Sequence, residues 1–397
     1  MKKLPLVVLS LLSLLVTSCG GNSDQNLSDT SVVDQNIGMY AGPVGDSENS
    51  LNVLAWPGYA EDGSTDPVID WVSPFEKNTG CEVNVKEFNS SQEAINLMKV
   101  GGYDLVSAPS EISYGLIELN KVQPINIYLL DNYAGIFDDL KERSWNSVEG
   151  SIYGVAQGRG ANLFMYNKNV INNQVISWDM ILNPEKTIST NISMHDSALT
   201  IAIAAIYLKE TRPDLGITNP YALSKAQFDE VINLLTIQKP LVTNYWADYL
   251  ADLEAVKTNK VDMGMSWQAT INEINKDGEI FSGTKPIEGT TGWVNSWMIA
   301  NSTQSINCAY KWIDWMISPQ TNALTSEWFG EAPVNKDACA LTADKNHCAA
   351  FKALEETFWE DIYYWDYPRT LCLDGRTDIA CIGYDDWFLR WTNFRSS

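Results

Sequence analysis

The chain has 397 residues, of which 45% are hydrophobic and 19% are charged, and its formal net charge is -23. This composition excludes wholesale disorder, and the length fits two lobes better than one. So large a negative charge repels phosphate backbones and excludes nucleic acid as the expected partner. It would attract cations, but an acidic surface more often serves solubility, so the charge does not identify a ligand.

The chain begins with the layout of an export signal. Two lysines precede the apolar run Leu4 to Val16, which is too short to span a bilayer as a mature helix. Val16-Thr17-Ser18-Cys19 resembles a bacterial lipobox, so we expect a lipoprotein signal peptide at residues 1–18 and lipidation of Cys19. Ordinary cleavage beside an unmodified cysteine is the alternative. Residues 19–50 are rich in small and polar residues and are expected to form a flexible tether.

The stretch that follows alternates between strand and helix patterns. We expect strands at 51–56, 82–88 and 103–106, with helices at 67–80 and 90–102 between them. Gly80 would cap the first helix at its C-terminus, and Ser90 would cap the second at its N-terminus. This alternation implies a parallel, doubly wound sheet, and ligands bind such sheets beyond the carboxyl ends of the strands. Those ends carry Trp56 to Tyr59 and Ala108 to Glu111.

The motifs in this stretch resemble those of a known family. Leu-Asn-Val-Leu-Ala-Trp-Pro-Gly-Tyr (51–59), Phe-Glu-Lys-Asn-Thr-Gly-Cys (75–81) and Gly-Gly-Tyr-Asp-Leu-Val (101–106) are similar to the spermidine/putrescine-binding proteins of bacterial ABC importers. The resemblance covers most of Leu51 to Trp391. It implies an α/β, type II periplasmic-binding-protein fold, in which two lobes enclose a ligand cleft. Lobe 1 would comprise residues 51–160 and 298–397, and lobe 2 residues 161–297.

The middle of the chain is predicted to cross between these lobes. We expect strands at Ile152 to Ala156 and at Asn162 to Tyr166, joined by a turn at Gln157 to Gly160. Residues 292–300 would return the chain to the first lobe. The aromatic tail Phe358 to Tyr367 is more typical of packing between lobes than of a ligand box.

Disulfides are expected, because export permits them. Two pairs of cysteines, Cys339/Cys348 and Cys372/Cys381, are each nine residues apart in turn-rich loops. Local pairing is therefore the simplest of 15 connectivities, and Cys81 would then pair with Cys308 across the fold. A zinc site is the alternative, but the sequence has no Cys-x-x-Cys spacing to support it.

The motifs of catalytic sites are missing from the sequence. There is no Gly-x-x-x-x-Gly-Lys-Ser/Thr loop, no Gly-x-Gly-x-x-Gly after a strand and no His-Glu-x-x-His. The two histidines are expected to be structural at His195 and exposed to solvent at His347. We therefore expect a binding protein rather than an enzyme, with no catalytic residue, metal or cofactor.

A site for an organic polycation needs aromatic faces to hold its methylene chain and its ammonium groups. Trp56 and Tyr59 match the family's aromatic pair after the first strand, and Trp267 and Trp293 match its aromatics on the second lobe. A place in the core is the usual alternative for any one of them. Because they stand together at strand ends, we expect them to form a ligand box.

Such a site also needs carboxylates, because an unpaired buried ammonium group is costly. Asp196 matches the family's aspartate at the start of a second-lobe helix, with N-capping as its alternative role. Glu111 and Glu331 stand where better-known relatives have tyrosines, and each could supply a carboxylate or face water.

Two positions depart from the family pattern. Asn295 stands where the family has an aspartate that holds an amine, and Leu199 where it has a glutamate. Three carboxylates would suit a diamine or triamine, whereas Asp196 alone would suit a monocation or a zwitterion. Arg159 could then hold a ligand carboxylate, with a hinge-region salt bridge or a solvent contact as its alternatives.

The resemblance implies a substrate-binding subunit that captures a polyamine by hinge closure and delivers it to an ABC permease. The permease and its ATPase would be separate chains. The protein would be a monomer, exported to the periplasm or the outer face of the cell membrane and held there by its lipid. The alternatives are a binding protein of the same fold for another small amine, amino acid or zwitterion such as 4-aminobutyrate, or an exported enzyme built on this fold.

Overall fold

The computed structural model describes residues 38–172, 176–187, 189, 191–258 and 261–397. Its strands are β1 (Ser50–Ala55), β2 (Glu82–Glu87), β3 (Leu105–Pro109), β4 (Ser147–Val148), β5 (Ser151–Ile152), β6 (Val155–Asn167), β7 (Ile192–His195), β8 (Val242–Trp246), β9 (Met263–Trp267), β10 (Phe281–Thr284), β11 (Thr290–Ile299), β12 (Ala332–Pro333) and β13 (Ile362–Tyr364). Its α-helices are α1 (Val72–Thr79), α2 (Ser91–Val100), α3 (Ser110–Glu118), α4 (Asp179–Leu182), α5 (Thr200–Thr211), α6 (Lys225–Gln238), α7 (Tyr249–Lys257), α8 (Gln268–Ile274), α9 (Ile306–Met316), α10 (Pro319–Phe329), α11 (His347–Ala350), α12 (Glu356–Trp359) and α13 (Tyr384–Ser396). Single turns of 3-10 helix lie at Ile127–Leu129, Tyr133–Gly135, Asp138–Leu140, Pro213–Leu215, Lys239–Leu241, Asn275–Asp277 and Ala338–Ala340.

One curled sheet runs through the molecule in the order β2-β1-β3-β11-β6-β9-β7-β8. At one end β1 pairs in parallel with β2 and β3, and at the other end β7 pairs in parallel with β8 and β9. The long strands β6 and β11 lie antiparallel between these two parallel groups. Two parallel groups joined by long strands give the two-lobed α/β fold that the sequence predicted.

The buried apolar residues form three larger clusters among the described residues. The largest hydrophobic cluster surrounds β1, α1 and α9, and a second cluster surrounds β7, α5 and α6. A third cluster fills the space between β3, α2 and α3. Strand β3 is buried along its whole length, as parallel strands usually are, whereas the edge strand β2 is polar and mostly exposed.

Local signals at the ends of the early helices agree with the structure. Ser90 caps α2 by accepting a hydrogen bond from the backbone N–H of Glu93, whose own carboxylate accepts from the N–H of Asn89. Gly80 ends α1 in the left-handed conformation, with φ of 73°. The predicted start of α1 after Pro67 is wrong, because the N–H groups of Trp71 and Val72 bond to the carbonyl of Glu61 instead of continuing a helix toward Pro67.

The expected turn at Gln157 to Gly160 is wrong, because these residues form part of the 13-residue strand β6. The two glycines in this segment do not form a turn. They allow other side chains to lie close to the backbone of the strand. A methyl group on Gly158 would lie 1.8 Å from the carboxyl carbon of Glu331, and one on Gly160 would lie 2.5 Å from the indole of Trp293. The strand therefore needs glycine at both positions so that these two side chains can lie against its backbone.

The N-terminal part of the described chain packs on the first lobe, which corrects the expectation of a flexible tether up to residue 50. The carboxylate of Glu48 accepts hydrogen bonds from the backbone N–H groups of Asn307 and Cys308 at the start of α9. The ring of Tyr40 lies 5.5 Å from that of Tyr310. Because Ser305 makes no capping bond with its own side chain, Glu48 satisfies the free N–H groups of α9 in its place.

The C-terminal tail joins both lobes, whereas residues 298–397 were expected to belong to lobe 1 alone. Strand β13 pairs with β11, so it adds a third segment at the crossing. Beyond it, Trp365, Trp387 and Trp391 are buried in the second hydrophobic cluster. The apolar faces of α13 therefore stabilise the second lobe.

The described cysteines form the three expected disulfides, Cys81–Cys308, Cys339–Cys348 and Cys372–Cys381. The exposed position expected for His347 is wrong, since this residue is 5% exposed. Its Nε2 donates to the backbone oxygen of Glu331 at 2.8 Å, and its ring packs on Phe351. None of the helices in the described ranges combines the length and the apolar composition that a bilayer crossing requires.

The close approach at β6 leads to a prediction about stability. Gly158→Ala should lower the free energy of unfolding by about 1–3 kcal/mol, the usual cost of overpacking a buried site. Chemical denaturation followed by tryptophan fluorescence measures this change. Gly38→Ala is the control, because a methyl group at Gly38 would contact nothing within 4 Å. Equal stability of the two variants would contradict the proposed contact between Gly158 and Glu331.

Candidate functional site

Two of the predicted aromatic residues line a narrow crevice. Trp267 and Trp293 form one part of its wall, and the other part comes from the tail residues Phe351, Phe358 and Trp359. The cavity volume is about 20 Å³, which is room for about one water molecule. The crevice is therefore almost closed, and five of its twelve lining residues are aromatic.

The indole groups on the walls differ in their hydrogen bonding. Trp267 Nε1 donates to Oδ1 of Asn162 at 2.8 Å. Trp293 Nε1 is buried and has no hydrogen-bond partner among the described residues. Trp293 therefore offers both an aromatic face and a free N–H group next to the crevice.

A buried hydrogen-bonded network, which we name the Glu331 network, consists of Tyr59, Asn295 and Glu331. The hydroxyl of Tyr59 donates to Oε2 of Glu331 at 2.6 Å, and Nδ2 of Asn295 donates to the Tyr59 oxygen at 2.7 Å. The other carboxyl oxygen of Glu331, Oε1, is buried and accepts no bond from any described residue. The network thus unites three of the predicted site residues and leaves one acceptor available.

Chain geometry brings Glu331 to this position. Gly330 ends α10 in the left-handed conformation with φ of 80°, and Glu331 follows it directly. The next two residues form β12, which pairs with β6 at Gly158 and Arg159. The turn after α10 therefore places the Glu331 carboxyl over the bare backbone of Gly158.

Burial controls the protonation of the Glu331 network. Removal from water raises the pKa of Glu331 well above its ordinary value, and the hydrogen bond from Tyr59 offsets only part of this rise. Burial also raises the pKa of Tyr59, and the nearby Glu331 carboxyl adds to that effect. The neutral forms of both groups are therefore favoured until a positive charge comes close.

The Glu331 network and the crevice are neighbours along β6 and β11. Asn295 lies opposite Gly158, and Trp293 lies opposite Gly160, two residues further along β6 and on the same face. The ring of Phe329 bridges them, because it stacks on Tyr59 at 4.3 Å and meets Trp293 edge-on at 6.1 Å. Phe329 and the two strands therefore connect the wall of the crevice to the Glu331 network.

Glu111 is a second buried carboxyl with one free oxygen. It lies in the first turn of α3, just beyond the carboxyl end of β3. Ser91 Oγ donates to its Oε1 at 2.5 Å, while Oε2 has no partner within the described part of the chain. Burial raises the pKa of Glu111 to about 7, although the bond from Ser91 opposes the rise.

The structure places the other predicted residues in separate surroundings. Trp56 is partly buried and packs on Phe88, with ring centroids 4.5 Å apart. Asp196 does not cap α5, which begins at Thr200 after Leu199, so the capping alternative is wrong. Its carboxylate instead accepts hydrogen bonds from α13, described below.

Arg159 points away from Glu331 and is already paired. Its guanidinium is 2% exposed and donates to Asp139 at 2.7 Å and to the hydroxyl of Tyr364 at 3.1 Å. It lies between the rings of Phe137 and Trp359, at 4.7 Å and 4.0 Å. This arrangement corresponds to the salt-bridge alternative for Arg159.

His195 has a structural position, as expected. It ends β7, and its ring stacks on Trp246 at 4.5 Å and on Trp365 at 5.7 Å. Burial lowers the pKa of His195 to about 4, although the nearby Asp196 opposes this effect. The ring is thus neutral at physiological pH and contributes an aromatic surface behind Trp267.

Sequence reasoning missed the tail rings of the crevice and the bridging ring of Phe329. The aromatic content of Phe358 to Tyr367 was the available signal, but it was interpreted as packing between lobes. Phe329 stands two residues before Glu331, and this proximity to a predicted site residue was its only local signal. Phe351 follows a helix between cysteine loops, where nothing in the sequence indicates a ligand.

Burial of Glu111 predicts a pH effect on stability. Because its pKa in the folded protein is about 7 rather than 4.5, its stabilising effect is complete below pH 4.5 and is lost as the pH rises through 7. Over this interval the loss amounts to about 3 kcal/mol. Glu111→Gln should therefore be more stable relative to the native protein at pH 8 than at pH 5, measured by chemical denaturation. Glu118→Gln, at the exposed end of the same helix, should show no such difference, and an equal effect of both variants would contradict the burial argument.

Comparisons with known proteins agree with the fold. The model of the bacterial extracellular solute-binding protein family matches residues 70–353. The putrescine/agmatine-binding protein of Pseudomonas aeruginosa is 24% identical over 299 residues, which cover 70% of this chain and 79% of that protein.

Solved structures show the same architecture. The spermidine/putrescine ABC transporter substrate-binding protein PotD from Streptococcus pneumoniae is similar with a TM-score of 0.68 and 18% identity, over 87% of this chain and 99% of that one. The Atu4243–GABA receptor is similar with a TM-score of 0.65 and 14% identity, over 87% of this chain and 98% of that one. These likenesses show the fold, and the match over residues 70–353 shows the family. The chain is a member of the bacterial extracellular solute-binding protein family.

Proposed function

We propose that this protein is the substrate-binding subunit of an ABC importer and captures a polyamine of the putrescine or spermidine type. Membership of the solute-binding family supports the binding role, and the names of the bacterial relative and of the pneumococcal structure support the class of ligand. A permease and an ATPase on separate chains would receive the ligand.

The observation that carries this proposal is the pair of buried carboxyls, Glu111 and Glu331. Each has one oxygen held by a protein hydroxyl and one oxygen without a partner among the residues described. A buried acceptor without a donor is costly, and an ammonium group would supply a charge-assisted donor. Each of these carboxyls is thus suited to a positively charged partner rather than to an anion.

The aromatic walls fit the same ligand. Faces of Trp267 and Trp293 border the crevice, and each cation–π contact with an ammonium group contributes about 0.5–2 kcal/mol. The methylene groups of a polyamine would also bury apolar surface there. A small anionic ligand would gain no cation–π contact from these walls.

The state of Arg159 weighs against a zwitterionic ligand. A carboxylate bound at Arg159 would have to displace Asp139, which lies 2.7 Å from the guanidinium. The guanidinium is also covered by two aromatic rings and is almost fully buried. The positive charge that the carboxylate of a zwitterion would need is therefore already paired with Asp139.

The crevice must open for a ligand to enter. A volume of about 20 Å³ holds no polyamine. Strands β6, β11 and β13 cross between the lobes, so bending of these segments would separate the walls. Ligand binding would then favour the closed arrangement by adding contacts that exist only there.

Calorimetric titration tests the ligand and the carboxyl together. The native protein should bind putrescine or spermidine, and Glu331→Gln should lower the affinity at least about tenfold, because a charge-assisted bond is replaced by a neutral one. Glu360→Gln, which removes an exposed carboxylate from the tail, is the control and should bind as the native protein does.

Two results would contradict the proposal. One is the absence of binding of either polyamine at millimolar concentration. The other is tight binding of 4-aminobutyrate that weakens when Asn295→Asp adds a negative charge to the Glu331 network. A polyamine should instead bind Asn295→Asp about fivefold or more tightly, because the new carboxylate attracts ammonium.

We infer further that the protein is exported, anchored by a lipid on Cys19, and monomeric. The lysines, apolar run and lipobox of the first residues support the anchor. Residues 1–18, Cys19 and most of the tether lie outside the described residues. Several acyl chains, as in bacterial lipoproteins, would hold the protein firmly at a membrane surface.

Cys19→Ala should release the protein from the membrane fraction, because no acyl chain could be attached. Fractionation of cells and detection of the protein in membrane and soluble fractions measures this. Ser28→Ala, outside the lipobox, is the control and should stay with the membrane. Retention of Cys19→Ala in the membrane fraction would contradict lipidation.

A further inference from the structure

The C-terminal helix α13 places a positive charge against Asp196. Arg395 Nε donates to Oδ1 of Asp196 at 3.0 Å, and Trp391 Nε1 donates to the same oxygen at 2.9 Å. The guanidinium also stacks on the ring of Tyr245, with its central carbon 3.7 Å from the ring centroid. Both charged side chains are 30% exposed, so water screens the pair only in part.

The helix holds Arg395 firmly in this place. Trp387, Trp391 and Phe394 on the same helix are buried in the second hydrophobic cluster. The ammonium group of Lys239 donates to the backbone oxygens of Phe394 at 2.5 Å and Ser397 at 2.7 Å, which satisfies the end of the helix. Helix α13 lies beyond residue 353, where the match to the family model ends.

Asp196 lies at the edge of the sheet where ligands bind. It follows β7 directly, and β7 runs parallel to β9, which ends at Trp267. The ring of His195, the preceding residue, is 5.6 Å from the ring of Trp267. Because ligands of such sheets bind beyond the carboxyl ends of the strands, Asp196 stands one strand away from the crevice wall.

We propose that Arg395 is a specificity determinant that restricts the ligand to a diamine. The inference rests on the proposed function and names its substrate class more narrowly. Arg395 neutralises Asp196, whereas Glu111 and Glu331 each keep an oxygen without a described partner. Two carboxyls remain for two ammonium groups, and a third ammonium group near Asp196 would meet a guanidinium of the same charge.

Calorimetric titration with putrescine, which has two amines, and spermidine, which has three, tests this inference. The native protein should prefer putrescine. Arg395→Gln frees the carboxylate of Asp196 and should raise the affinity for spermidine, relative to putrescine, about tenfold. Arg395→Lys keeps a cation beside Asp196 and should keep the native preference, which a role in packing alone would not require.

The control variant changes another arginine on the same helix. Arg390 is half exposed and its ion pair with Asp229 is long, at 3.8 Å, so Arg390→Gln should leave the preference unchanged. Arg395→Met is a second variant for the case that Arg395→Gln unfolds, because its side chain can still cover Tyr245. Adding Asp196→Asn to Arg395→Gln should remove the gain for spermidine.

The outcomes separate this inference from the proposed function. If the native protein binds a polyamine but loss of the Arg395 charge leaves the ratio of the two affinities unchanged, the inference is overturned and the function stands. If no variant binds either amine, both are overturned. If the variant binds spermidine and the native protein binds neither amine, the action of Arg395 is supported and the proposed function is contradicted.

Discussion

A carboxyl group buried at the crossing of the two lobes constrains the centre of this molecule. Glu331 lies against the backbone of Gly158, is held by Tyr59 through one oxygen, and has no described partner for the other. Isolation from water makes its charged form costly, so the group favours its neutral form. The glycine in β6, the tyrosine after β1 and the turn after α10 are all needed to keep this carboxyl in place. The centre of the molecule therefore tolerates a buried carboxyl oxygen for which no described residue provides a partner.

The parts of the fold that could be predicted depend on neighbours along the chain. Ser90 and Gly80 cap the helices next to them, so these caps can be recognised from a few consecutive residues. The pairing of Cys372 with Cys381 closes a loop of nine residues, which spacing alone suggests. Alternation of strand and helix likewise indicated a parallel sheet before any contact was known. For these features, the interactions that produce the structure are mostly between residues that are close together in the sequence.

The remaining features arise from contacts between distant residues. Gly158 and Gly160 look like a turn in sequence, but each is required by a side chain more than a hundred residues away, Glu331 or Trp293. Asp196 was expected to meet a ligand or cap a helix, and its partner proved to be Arg395, 199 residues later. His347 is buried because its ring reaches the carbonyl of Glu331, although the polar residues Asp344 to Asn346 directly precede it. The spacing of apolar residues along a strand or a helix contains no information about partners so far away in the sequence.

The disulfide between Cys81 and Cys308 has a consequence for the order in which the protein assembles. It spans 227 residues, and β3 of the same lobe pairs with β11 over a comparable stretch of chain. Closing loops of this length costs more conformational entropy than closing short ones, and folds dominated by such non-local pairings generally form more slowly. A ribosome must complete more than three quarters of the chain before that lobe has all its central strands. The nascent protein consequently remains without its largest core for most of its synthesis, a state in which a polypeptide can still be threaded through a narrow translocation channel.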